Sequence, residues 1–161
     1  MALAALGIRR QKRAGSATVE FALILPLLLS ILFGIIEVGF LFKDQITVQQ
    51  AAREGARVAS VGRPLSETNA RITGAASNLI VASLTYSTAY RTYANGVWSS
   101  WTTLGDKTDG SGQNDAPQGA QIKVSCNYNH RLLTGPLFAR LIGRPGATQL
   151  TLRSEMVIRR E

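Results

Sequence analysis

From Phe21 to Phe42 the chain reads FALILPLLLSILFGIIEVGFLF, 22 residues with Glu37 as the one charged side chain. Coiled as a helix, this run is roughly 33 Å long, about the thickness of a bilayer's hydrocarbon core. With 161 residues the chain is long enough for one modest domain besides. The run therefore reads as a single membrane-spanning helix and not as the core helix of a globular protein. Arg9, Arg10, Lys12 and Arg13 precede it, with no acid before Glu20. By the positive-inside tendency the N-terminus stays cytoplasmic and the remainder crosses. A cleaved secretory signal fits less well. The run exceeds the usual apolar region, and Gly39-Phe40-Leu41-Phe42-Lys43 offers no small-x-small cleavage pattern.

The net charge is +8. Beyond Lys43 the charges are scattered, which describes a solvated basic surface and gives no case for nucleic acid. Cys126 is the single cysteine, so no intramolecular disulfide can form. A buried thiol is one reading of it, an intermolecular bridge the other.

The expected organisation is a leader over 1–15, a transmembrane helix over 16–42, and an outer domain over 43–161, helical over 43–83 and sheet over 84–161. Pro26 removes one backbone donor and crowds the carbonyl of Ala22, which allows a mild kink or a segment that melts locally. Lys43–Ser60 lacks proline and is rich in good helix formers, so the helix continues past the membrane. Ala51, Gly55 and Ala59 recur at every fourth position, flanked by Ala52 and Ala56, and form a helix-contact stripe. It can receive either this chain's own domain or a neighbouring subunit. Gly62-Arg63-Pro64 ends the helix. A second helix is expected from a Ser66 cap to about Ser83, with Ile72, Ala75, Ala76, Leu79 and Ile80 on its apolar face.

Thereafter the pattern is that of strands. Leu84–Ala94 and Val97–Leu104 flank Asn95-Gly96, a strong hairpin signal. A two-residue turn there pairs Tyr93 with Trp98 and Tyr90 with Trp101. Residues 106–119 form a polar loop whose Asp106, Asp109, Asn114 and Asp115 do not follow calcium-loop spacing. Ile122, Val124, Cys126 and Tyr128 alternate with polar residues. Leu150, Leu152, Met156 and Ile158 do the same, and a short helical piece over Leu137–Ile142 lies between. The fold class is α+β: a long N-terminal transmembrane helix with a small C-terminal antiparallel sheet domain.

Catalysis finds no support. The single histidine, His130, and Cys126 would sit on one strand face about 13 Å apart, too far for a nucleophile–base pair. His130 reads as a surface residue. There is no phosphate loop, no nucleophile elbow and no set of paired metal ligands, so neither a cofactor nor an enzyme activity is expected.

Basic residues, then Gly15, Glu20, Phe21 and a long apolar helix resemble the leader of type IV pilin-like proteins. VEFALILPLLLSILFGIIEVGFLF followed by QQAAREGARVAS is similar to the TadE family of the tight-adherence (Flp) pilus system. The likeness is strongest over residues 14–60. It implies cleavage by a prepilin peptidase between Gly15 and Ser16, and a minor pilin or pseudopilin that assists filament assembly. It also implies a place in the bacterial inner membrane, with other pilus subunits as partners. Glu20 would then face the new amino group of Ser16, on its own subunit or a neighbour's. Glu37, further along, reads as a residue of the outer membrane interface, with a helix contact as second reading. An unprocessed, membrane-anchored periplasmic binding domain is the alternative.

Overall fold

A computed structural model describes residues 12–161; residues 1–11 of the expected leader lie outside the described residues. Helix α1 runs without interruption over Lys12–Ser60, 49 residues. At 1.5 Å per residue it is a rod of about 73 Å. Pro26 does not break it, and the Ser30 hydroxyl donates to the Pro26 carbonyl at 2.7 Å. The stretch from Gly15 to Ser60 is long and apolar enough to cross a membrane, with a mean hydropathy of 2.6 in its most apolar window.

The rod has two halves with different surroundings. Residues 19–36 are almost wholly exposed, including Phe21, Leu23, Leu27 and Ile35. From Glu37 onward one face is covered: Glu37, Asp44, Val48, Ala51, Ala52, Gly55, Ala56 and Ala59 are all buried. The folded domain thus takes hold of α1 six residues earlier than the expected boundary at Lys43.

What covers that face is a four-stranded antiparallel sheet in the order β4-β1-β5-β6. The strands are β1 (Leu84–Arg91), β4 (Thr102–Thr103), β5 (Gln121–Arg131) and β6 (Gln149–Arg159). Ile122, Val124, Cys126 and Tyr128 of β5 point inward as their alternation requires, and all are buried. Leu152, Met156 and Ile158 of β6 pack beside them. β5 descends antiparallel to α1, so Gln121 lies at the distal end, near Ser60, and Arg131 at the membrane-proximal end.

The Ala51, Gly55 and Ala59 stripe meets this chain's own domain. A Cβ added at Gly55 would come within 2.4 Å of Ile72 Cγ1 and 3.4 Å of Val124 Cγ1. The stripe is small because α1 must lie that close to the sheet and to helix α2 (Leu65–Ala75). It is therefore not an open surface for another subunit.

Several expectations are corrected. α2 stops at Ala75 and does not reach Ser83; Gly74, Ser77 and Asn78 are poor helix formers, and a 3₁₀ turn at Val81–Ser83 follows. Ile80 is exposed as a result. Ser66 does not cap α2; Asp106 does so across 41 positions, its Oδ1 accepting the Leu65 N–H at 2.7 Å. The hairpin around Asn95-Gly96 forms, with φ of 53° and 82° at its two turn residues, and β2 (Tyr93–Ala94) pairs with β3 (Val97–Trp98) so that Tyr93 faces Trp98. Tyr90 instead pairs with Thr102, because one extra residue is accommodated between Ser99, which still bonds to Thr92, and Thr102. Trp101 then turns to the outer face, where Arg91 and Lys123 lie over its ring at 4.6 and 4.5 Å.

The polar loop over 105–119 closes the distal end. Asn114 is buried, and its Nδ2 donates to the Ala59 and Arg63 carbonyls at 2.8 and 2.9 Å. These bonds tie the last turn of α1, at Ala59, to the turn that follows it, at Arg63. Arg160 in turn donates to Asn114 Oδ1 at 2.7 Å and to the Ala116 carbonyl. The loop is a plug between the end of α1 and the end of β6.

Gly55→Ala should destabilise the domain by about 1–3 kcal/mol, the usual cost of overpacking. Ile72 is fully buried and branched, so it cannot move aside freely. Gly74→Ala, whose added Cβ meets nothing within 4 Å, should be neutral or stabilising. Thermal unfolding of the detergent-solubilised chain measures both.

Candidate functional site

Two stretches of α1 carry charge where apolar surface would be expected. The first is the helix head. Gly15, Ser16, Glu20 and Phe21 are all exposed on the first turns. Glu20 stands one turn above Ser16, and the Ser16 hydroxyl donates to Glu20 Oε1 at 2.9 Å. The i, i+4 spacing thus places Ser16 within reach of the carboxylate. No part of the folded domain covers this turn, so whatever Glu20 meets in service comes from outside the domain.

The second stretch is the level of Glu37, where the domain first grips the helix. Glu37 is neither exposed nor left to water. Its Oε1 accepts the Leu133 N–H at 2.8 Å. Its Oε2 accepts the Thr134 N–H at 2.8 Å and the Thr134 hydroxyl at 2.9 Å. His130 Nε2 lies 3.6 Å from Oε1. On its other side His130 Nδ1 is 2.7 Å from Asp44 Oδ2, and Lys43 Nζ is 3.9 Å from Asp44 Oδ1. One imidazole thus lies between two acids of the same helix, two turns apart, bonded to Asp44 while its buried Nε2 faces Glu37 without a hydrogen-bond partner.

This overturns two expectations. Glu37 is fully buried under the chain leaving β5, not placed at an open interface. His130 is 6% exposed, not a surface histidine. The physical reason is common to both: the chain leaving β5 passes over α1, and the backbone donors of Leu133 and Thr134 need acceptors once they are removed from water. Sequence reasoning missed the cluster, though one signal was present. Glu37, Asp44 and Ala51 are spaced by seven, which puts both acids in line with the small-residue stripe.

Cys126 and His130 share the inner face of β5. The thiol is fully buried, and burial pushes its pKa up to about 11. It is therefore a poor nucleophile at neutral pH. Thr134 directs its hydroxyl to Glu37, not to the imidazole. Among the described residues no group of three or more His, Cys, Asp or Glu could hold a metal ion. The arrangement at Glu37 can fasten a loop to a helix; it presents no open face to a substrate.

Glu37→Ala should leave the donors of Leu133 and Thr134 unpaired, at a cost of roughly 1–3 kcal/mol for each buried group left so. Glu37→Gln should cost less, since an amide oxygen still accepts. The thermal transition of the full chain, compared across the two variants, measures this ordering.

Residues 15–57 match the model of the TadE-like protein family. The match begins at the helix head, passes through Glu20 and Glu37, and ends within the buried stripe, so the lower and middle parts of α1 are TadE-like. It agrees closely with the stretch whose sequence bears that resemblance. No curated protein and no solved structure matches the chain.

Proposed function

We propose that this chain, TadE-like along its membrane helix, is a minor pilin or pseudopilin that assists assembly of a tight-adherence, type IV-like pilus. The observation that carries the proposal is the TadE-like helix itself. Its lower half exposes a continuous apolar surface with Glu20 at the head, while the domain covers only its upper half. Such a surface suits lipid before assembly and other helices after it. The N-terminus is cytoplasmic and the domain periplasmic in this reading, from the basic residues before Gly15.

A prepilin peptidase cuts between Gly15 and Ser16. The new α-amino group belongs to Ser16, the residue already within reach of Glu20. In the filament core, with water excluded, that amine of one subunit and the Glu20 of another pair and set the axial register. A charge pair is far stronger there than in water, and far more costly to break. The chain acts as a structural subunit without a catalytic step of its own.

Two measurements test this together. Intact mass of the membrane-extracted protein should place Ser16 at the terminus in cells with an active prepilin peptidase. Glu20→Ala should leave that processing largely intact and abolish co-purification with other pilus subunits. A protein that retains Met1–Gly15 would support the unprocessed, membrane-anchored alternative. Wild-type co-purification of processed Glu20→Ala would remove the charge pair from the account.

A further inference from the structure

The corner between β5 and β6 is the part of the domain that lies lowest along α1. It contains helix α3 (Pro136–Leu141). Two observations fix its level. Leu133 and Thr134 are bonded to Glu37. Phe138 shares the walls of two shallow apolar grooves with α1, one lined by Leu27, Ile31 and Ile35, the other by Leu29 and Phe33, and Ser30 and Gly34 border both. Phe138 therefore stands beside a stretch of helix that runs from Val38 and Leu41, at and above the level of Glu37, down to positions roughly 15 Å below it, toward the N-terminus. A hydrocarbon core of about 30 Å occupies about 20 helical residues. Measured from Phe21 it extends to about Phe40 and so takes in most of that stretch.

The corner's surface has matching chemistry. Leu133 and Ile142 are 68% and 41% exposed. Arg131, Arg140 and Arg144 are exposed around them, and no acid occurs between Arg131 and Arg153. Apolar side chains rimmed by arginines form a pattern that suits the boundary between acyl chains and headgroups. Among the described residues no other element covers Leu133 or Ile142, and Phe138 of the same corner borders the exposed apolar surface of α1.

We propose that this corner is a second membrane contact. Leu133 and Ile142 enter the outer leaflet, Arg140 and Arg144 bind phospholipid phosphates, and the domain is thereby held at a fixed height and rotation about α1. The inference rests on the membrane-spanning reading of α1. It also gives Glu37 a role: a carboxylate at this depth is tolerated because the corner carries backbone donors to it.

The test uses the full chain in phospholipid nanodiscs, with Cys126→Ala as background and a nitroxide attached through Ile142→Cys. Ile31→Cys marks the span and Val97→Cys the distal hairpin. Each labelled chain should first show the thermal transition of its unlabelled parent. Collision with oxygen relative to a water-soluble nickel chelate reports depth. The label at 142 should collide preferentially with oxygen, as the label at 31 does, and the label at 97 should prefer the chelate. Adding Arg140→Gln and Arg144→Gln should shift the label at 142 toward water. A label at 142 that behaves like the one at 97, while 31 remains in lipid, would overturn the proposal and leave the span intact. Access of the chelate to 31 would instead overturn the spanning reading. An unchanged depth in the double arginine variant would remove phosphate binding by those residues. In discs holding several copies, dipolar broadening at 142 would show a second copy covering the corner and would overturn the lipid assignment.

Discussion

Everything in this structure depends on α1 being one unbroken helix that serves two solvents. Its lower half presents apolar side chains outward on all sides. Its upper half presents small side chains to a sheet on one face. Residues for the first task are chosen by transfer free energy and for the second by packing distance. Ile31 and Phe33 could not occupy the place of Gly55, where even one methyl group collides with Ile72. Gly55 and Ala52 would bury little apolar surface in lipid.

The junction between the halves is where a polar group is hardest to place and most useful. A carboxylate facing lipid is costly, and a buried carboxylate without donors is more so. Glu37 escapes both costs because the chain leaving β5 supplies two backbone N–H groups and a hydroxyl. Asp44 repeats the device two turns higher through His130. At the far end Asn114 and Arg160 close the helix terminus. The domain is thus tied to α1 by polar networks at both ends and by close packing between them. A body so fastened turns and translates with its helix.

Much of the fold was legible because it is written locally. The apolar run, the Ala-rich continuation, the Asn95-Gly96 turn and the alternation of β5 and β6 each rest on neighbours within a few residues. The rest depends on partners distant in sequence. Nothing near Ser66 says that Asp106 will cap α2, nor does anything near Asn114 point to Ala59 and Arg160. The slipped pairing of Tyr90 comes from one residue inserted between Ser99 and Thr102, and the hydrophobic pattern is equally tolerant of either register. The cluster at Glu37 lay between these cases. Its heptad spacing with Asp44 and Ala51 was readable, but His130 and Thr134 come from another part of the chain. Glu20 was legible as chemistry out of place, and the fold alone does not cover it.

The central claim is that anchor and domain form a single rigid rod joined at Glu37. Hydrogen–deuterium exchange of the full chain in nanodiscs tests it most directly. Slow exchange should continue without a gap from the lipid-embedded part of α1 through Glu37, Asp44 and Val48 to Ala59, with the Leu133 and Thr134 amides protected as well. Rapid exchange confined to residues 36–46, with protection on both sides, would reveal a hinge where this account places the joint, and would contradict it.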